Sequence, residues 1–551
     1  MKKLLFILLA GALVGATACR KKIDINTDPN APQLLGGESL LPSILTQMAR
    51  GMQYDGAYLG RYTQNWQNIN ANETYDMHGW TVPAAYEDPS GEIWRMTYYA
   101  IGRTIEDIIA DAEAKKKWDY LGIAKAIRAW CWQTATDYHS DIIMKEAFKP
   151  GLYTFKFDTQ EEVYKEVRSL CYDALTYLNR EDGAVSQAKM SKIDFVYGGD
   201  RSKWRKFVCG ILARNYQHLS NKSTYQADSA IYYAKKAMAS ADDDFLISFL
   251  GTSSSNCNFY GTSYTATTSF YNVRQSLYIV SLMDGTIAAG STEPANRDPR
   301  LQAMLAISAD TAGTNNGGYR SISALQGEPF VSYTDTIKQA QARRRVPYVW
   351  GDKVYNSYPA NTRPGPGVGK YLFRDDASFP IMTYAEMQFI LAEANMKIGD
   401  KGAAHTAYKA GINGHFDYLK KYFAKTSPAI SDAAKTAYMN NAKVVKQNAA
   451  DLRMSDIMAQ KYIALWGWGF VETWTDLRRY HYTDMDAETG TQVFKGFELP
   501  QRFYFANGDK PAYRVRPRYN SEYIWNRAEW DRLGMDINGD YATREMWFSQ
   551  P

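Results

Sequence analysis

Three stretches of the 551-residue chain interleave aromatic rings with amides or small polar residues outside any helical period. The first is Trp66-Gln67-Asn68-Ile69-Asn70-Ala71-Asn72, followed by Tyr75 and Trp80. The second is Asn258-Phe259-Tyr260 with Tyr264, Phe270 and Tyr271, and the third is Tyr348-Val349-Trp350 with Tyr355. Rings give contact area at low entropy cost, and an Asn side chain both donates and accepts hydrogen bonds. Such mixtures suit a ligand with an apolar face and a rim of hydroxyls, which is the shape of a sugar. The candidate ligand-binding residues are therefore Trp66, Asn68, Asn70, Asn72, Tyr75, Trp80, Tyr260, Tyr264, Tyr271, Trp350 and Tyr355. The competing expectation is that these rings only pack the loops down. Trp466, Trp468 and Trp474 sit in a helical stretch and are expected in the core.

Covalent chemistry finds less support. Six histidines are scattered along the chain, with no HExxH, and no GxSxG elbow occurs. Gly365-Pro366-Gly367-Val368-Gly369-Lys370 resembles a phosphate loop. However, Pro364 stands where the first glycine is needed, and Tyr371 replaces the magnesium-holding Ser or Thr. Asp536-Ile537-Asn538-Gly539-Asp540 has the oxygen spacing of a calcium loop, but Tyr541 and Trp547 take the glycine and glutamate positions. Asp24, Asn26 and Asp28 repeat that spacing and are broken by Pro29, so both segments read as Asx-type turns. Glu386 and Glu393 lie seven apart on one helical face. Paired carboxylates can do acid/base work, but without cleft residues beside them a solvated or salt-bridged face is expected. No catalytic residue, metal site or cofactor is assigned. Missing motifs are weak evidence against catalysis; the expectation is a binding protein and not an enzyme, with a surface hydrolase as the alternative.

The N-terminus carries a targeting signal. Lys2 and Lys3 precede the apolar run Leu4–Val14, and small residues lead to a cysteine in Ala16-Thr17-Ala18-Cys19. The run is too short to span a bilayer and reads as a signal peptide over residues 1–18. Cys19 is then the expected lipidation site, its acyl chains anchoring the protein at about 0.8 kcal/mol per buried methylene. Residues 19–32 are polar and proline-broken, as a lipidated tether should be. Of the other cysteines, Cys131, Cys171 and Cys209 fall in helical patterns and are expected to be buried, while Cys257 lies in a Ser/Asn-rich loop and is expected to be exposed. The formal charge of +5 is small for this length and calls for no nucleic acid.

The elements that must position these residues are mainly helical. Leu121, Ala124, Ile127, Cys131, Thr134, Ala135 and Tyr138 recur at steps of three and four on one face. Similar stripes run through 39–54, 92–113, 161–178, 203–220, 226–239, 384–398, 402–420 and 445–470. Consecutive helices joined by short turns predict tetratricopeptide-like helix pairs, without a strict 34-residue signature. Residues 240–275 and 284–380 are rich in Gly, Ser, Thr, Asn, Pro and Tyr, and the tail 495–551 is irregular and aromatic. Long loops in a compact domain are usually functional. No composition shift marks a second domain, so 33–551 reads as one large, mainly α domain with an irregular, loop-rich, ligand-binding half.

Several segments, in order, resemble the SusD/RagB family of outer-membrane nutrient-binding lipoproteins of Bacteroidetes. They are Asp24–Asn30 after the lipid cysteine; Gly122–Ala129 running into Thr136–Ile142; and Asp194–Phe207, the most specific. Asp298–Leu301, Met382–Ala394 and Gln460–Arg479 complete the series. Ser140 and Ile143 depart from the Gly and Pro of the family's D-x-x-G-D-(I/V)-P turn, and Arg20-Lys21-Lys22 stands where surface-exported members often carry acids. The resemblance implies a helical scaffold that docks a SusC-like TonB-dependent transporter and an irregular half that holds an oligosaccharide or, less often, a peptide. It implies a membrane contact through the lipid anchor only, with outer-membrane location and display at the cell surface.

Overall fold

A computed structural model describes residues 36–79, 91–261, 270, 272–328, 344–350, 369–423, 428–536 and 540–551. Helices dominate them. The principal ones are α1 (Gly37–Leu59), α2 (Gly102–Ala114), α3 (Trp118–His139), α4 (Gln160–Leu178), α5 (Arg201–His218) and α6 (Ala227–Lys236). After the irregular middle come α7 (Tyr384–Lys397), α8 (Lys401–Phe423), α9 (Met454–Leu465) and α10 (Phe470–Arg479). Consecutive helices pack as pairs, α3 on α4, α5 on α6 and α7 on α8, and α7 also packs on α6 and α9. The expected helix-pair scaffold is present, in a single mainly α domain. No described helix is long and apolar enough to cross a membrane.

Local chemistry sets the boundaries. Thr159 and Glu162 form a reciprocal capping box at the start of α4. Asp194 folds the turn before α5 by accepting from the backbone N–H groups of Val196, Tyr197 and Gly199 and from the indole of Trp204, at 2.8–3.1 Å. Gly198 and Gly199 both take positive φ there, and Asp200 then caps the helix. The most family-like segment of the sequence is thus a turn-and-cap device. The stripe expected over 445–470 starts late and breaks: α9 ends at Leu465, and Gly467, with φ 87°, turns the chain into α10.

Strands are short and tie loops to the scaffold. β1 (Trp66–Asn68) pairs antiparallel with β3 (Val273–Gln275), in the register Trp66 to Gln275. β2 (Phe245–Ile247) pairs antiparallel with β4 (Phe379–Met382). One hydrophobic core runs through both halves and contains Trp466, Trp468 and Trp474, as expected. Cys131, Cys171 and Cys209 are buried and free. Cys257 corrects the expectation of exposure: its loop folds back and buries the thiol.

Candidate functional site

The described members of the sequence's aromatic clusters converge, but inward. Trp66 is fully buried, edge-on to Tyr260, Phe270, Phe373 and Trp466 with ring centroids 5.3–6.5 Å apart. Its indole N–H donates to the carbonyl of Ala57 at 3.2 Å. Tyr260 is also fully buried and stacks on Phe373, and the Trp350 indole donates to the Tyr260 carbonyl at 3.0 Å. Tyr75 is buried beneath the guanidinium of Arg61. Asn68 is buried and accepts from the backbone N–H of Asn70, closing a local turn. These five side chains present no face to a ligand, because the loops that carry them close over a shared aromatic interior. Asn70 and Asn72 remain exposed, Asn72 accepting from Arg502. Trp80, Tyr264, Tyr271, Tyr355 and the lipidation site Cys19 lie outside the described residues.

A different aromatic surface is open to solvent. A cleft of about 820 Å³ is lined by Trp94, Arg95, Tyr98, Tyr99, Ile143, Ala147, Phe155 and the tail segment Tyr519–Glu522. Tyr99 is 72% exposed. In the segments that build the walls, Tyr153 is 88% and Trp525 71% exposed, and Leu152 and Ile524 are exposed too. Two π-helical turns meet at this cleft, Met96–Ala100 on one wall and Ser521–Trp525 on the other. Such turns are rare and tend to be kept at functional positions.

Each wall is held from outside the cleft. Asp55 of α1 accepts from the backbone N–H groups of Gly91, Glu92 and Ile93 at 2.7–2.9 Å, capping the helical turn that bears Trp94 and Arg95. Gly91 has φ 146°, and a Cβ there would meet the Arg518 side chain at 2.7 Å, so the approach of the two walls needs a glycine. Trp94 packs on Phe157 and Tyr98, whose hydroxyl donates to the Ile143 carbonyl at 2.7 Å. On the opposite wall, Asn526 accepts from the Phe155 N–H at 3.1 Å and donates to its carbonyl at 2.8 Å. Glu522 lies at the inner edge, 5% exposed, and burial pushes its carboxyl above the ordinary range. Burial also raises the Tyr98 phenol, with the charge of Glu522 adding to it.

The sequence reading passed over these residues because 92–113 follows a helical stripe, which places its rings in a core. The available signal was Tyr99 itself: Trp94, Tyr98, Ile101, Ile105 and Ile108 keep to steps of three and four, and Tyr99 falls off that stripe. The apolar pair Ile524-Trp525 in the polar tail was a second.

Other charged groups cluster inside the scaffold. Glu386 pairs with Arg214 through two contacts of 2.6 and 2.7 Å, and Glu393 with Arg479 and Lys461. The face expected to be solvated or salt-bridged is salt-bridged and buried. His218 lies between Glu472, 2.9 Å from its Nε2, and Asp137, 3.2 Å from its Nδ1. Burial alone would lower its pKa, but these two carboxylates outweigh burial and raise it to about 9. Asp137, His218 and Glu472 are also grouped closely enough to hold a metal ion. Arg214, 3.6 Å from Glu472, and Arg478, bonded to the Asp137 carbonyl, already supply positive charge there. A protonated imidazole between two acids satisfies this cluster without a divalent ion. It is a structural lock.

The comparisons agree with this architecture. A profile of SusD-like proteins, described as starch-binding and associating with the outer membrane, matches residues 29–506. Among solved structures, a SusD/RagB family protein from Bacteroides thetaiotaomicron superimposes with a TM-score of 0.66 at 20% identity, covering 94% of this chain and 99% of its own. A chitin-binding protein superimposes at 0.63 with 21% identity over 93% of this chain and 100% of its own. A chitin-binding SusD homolog from Flavobacterium johnsoniae superimposes at 0.59 with 17% identity, over 93% and 97%. No curated protein sequence matches the chain. At these identities the structures establish the shared fold, and the profile, spanning most of the chain, establishes the family. The chain belongs to the SusD-like family of starch-binding proteins that associate with the outer membrane.

Proposed function

We propose that this protein is a lipid-anchored glycan-binding subunit of the outer membrane. It holds an oligosaccharide in the cleft between Trp94–Tyr99 and Tyr519–Glu522 and passes it, without cleaving it, to a SusC-like TonB-dependent transporter. The observation that carries the reading is one open cleft whose lining joins the 72%-exposed Tyr99 to the rings of Trp94, Tyr98, Phe155 and Tyr519. Exposed apolar clusters of this kind mark binding surfaces. Their rings suit the C–H faces of pyranoses, while Asn520, Ser521 and Glu522 offer hydrogen-bonding groups to the hydroxyls. The family description supports α-glucans, and two structural neighbours are named as chitin-binding, so both ligand types are the first to test. Anchoring rests on Cys19, and transfer to a transporter on the family's association with the outer membrane.

The test is a glycan array probed with the mature chain lacking Cys19, with a peptide digest in parallel. Retention of intact oligosaccharide supports the reading. Shortened products would make the protein a hydrolase, and retention of peptides alone would replace the ligand class.

A further inference from the structure

The cleft contains a buried carboxyl with no counter-charge among the described residues. Glu522 is buried, yet no Arg, Lys or His pairs with it among the described residues. Among the described residues its side chain is hydrogen-bonded only by the Asn526 amide at 3.4 Å and by the neighbouring Ser521. The buried glutamates of the helical scaffold differ: Glu386 faces Arg214, Glu393 faces Arg479 and Lys461, and Glu472 faces His218. Asp55, equally buried, is met by three backbone N–H groups. The two nearby guanidinium groups are turned elsewhere. Arg95 pairs with Glu92 at 3.2 Å and lies over the ring of Tyr99, and Arg518 lies over the ring of Tyr519.

An uncompensated carboxylate is costly to bury, and aromatic faces attract cations through their negative quadrupole. Glu522 lines the same cleft as Trp94 and Tyr98; Tyr99 and Tyr519, which also line it, are covered by the guanidinium groups of Arg95 and Arg518. We propose that this cleft recognises a ligand bearing a primary ammonium group, with Glu522 as the counter-ion and the rings of Trp94 and Tyr98 as a cation-binding wall. Resting on the reading of the cleft as the glycan site, this narrows the ligand to an oligosaccharide of amino sugars with free amines. A neutral sugar would leave the carboxylate uncompensated, and an acidic sugar would repel it. The same ammonium chemistry occurs on lysine side chains, so a basic peptide is the other source to be separated.

Calorimetric titrations of the purified mature chain near neutral pH, where a raised carboxyl still ionises and a good share of the amines is protonated, test this. The probes are a glucosamine hexamer, its fully N-acetylated counterpart, maltohexaose and trilysine. The glucosamine hexamer should bind at least tenfold more tightly than the N-acetylated and neutral hexamers, and Glu522→Gln should erase that preference with an unchanged melting temperature. The comparison of amine with N-acetyl needs no variant, so it stands even where the substitution perturbs folding. If the neutral hexamers bind as tightly as the glucosamine hexamer, the ammonium inference falls and the glycan reading survives. If only trilysine binds, and does so through Glu522, the ammonium chemistry holds and the glycan reading falls. If nothing binds, both fall.

Discussion

The side-chain amide of Asn526 pairs with the backbone of Phe155 through both hydrogen bonds, at 2.8 and 3.1 Å, as a neighbouring strand would. The two residues are 371 positions apart, and their pairing joins the tail to the loop that carries Tyr153. Asn526→Ala deletes both bonds and also the 3.4 Å amide contact to Glu522. At about 0.5–1.5 kcal/mol each, the loss is modest for a protein of this size. The melting temperature should fall only slightly, while ligand affinity falls several-fold because the wall bearing Glu522 loses its register. Hydrogen exchange of 519–526 should rise in the variant, and an unchanged exchange pattern would remove the clamp from the account.

A second prediction concerns the opposite wall. Asp55 has its carboxylate on three backbone N–H groups that begin the turn of Trp94. Asp55→Ala leaves those donors buried without an acceptor. Loss of a helix cap costs about 0.5–2 kcal/mol, and the expected result is a lower melting temperature together with weaker binding. Asp55→Asn retains an acceptor oxygen and should fall between the two.

These elements were unequally legible in the sequence. The helix pairs were readable because periodic apolar positions in α3, α4 and α7 must face a partner. The Asp194–Phe207 motif was readable as a family feature, although its physical content, one carboxylate bonding three amides and an indole, needed the coordinates. The candidate cleft was not readable. Trp66, Tyr260 and Trp350 sit in polar, loop-like sequence, yet they meet from 66, 260 and 350 in one buried cluster that no local pattern encodes. The cleft brings positions 94–99 to 519–522, and its partners are linked by backbone-directed bonds that carry little sequence signature.

The charge lock at His218 makes stability depend on pH. Its pKa is raised to about 9 in the folded protein, against an ordinary value of about 6.5. Folded chains therefore bind more protons than unfolded ones between these values, and stability falls as pH rises. The stabilisation is complete below about pH 6.5 and is lost as pH rises through about 9. A shift of this size corresponds to a loss on the order of 3 kcal/mol. Urea unfolding across that window should show the decline, and His218→Gln should flatten it. A profile that stays level in the parent protein would contradict the lock.

Anchoring is tested at Cys19. Cys19→Ala should leave the protein unacylated and soluble in the periplasm. Persistent fractionation with outer membrane in a strain lacking the transporter would refute lipidation as the anchor.

The central claim is that the cleft at Tyr99, and not the aromatic interior at Trp66, holds the ligand. Calorimetry with the best-binding oligosaccharide, paired with melting curves, separates the two on the same preparations. Tyr99→Ala removes a ring that is 72% exposed, so it should leave the melting temperature nearly unchanged. Truncating an aromatic binding anchor costs roughly 2 kcal/mol or more, a weakening of about thirtyfold. Trp66→Leu should do the reverse, melting several degrees lower while its folded fraction binds normally. Normal affinity in the Tyr99 variant, with weakened binding in a well-folded Trp66 variant, would contradict the account.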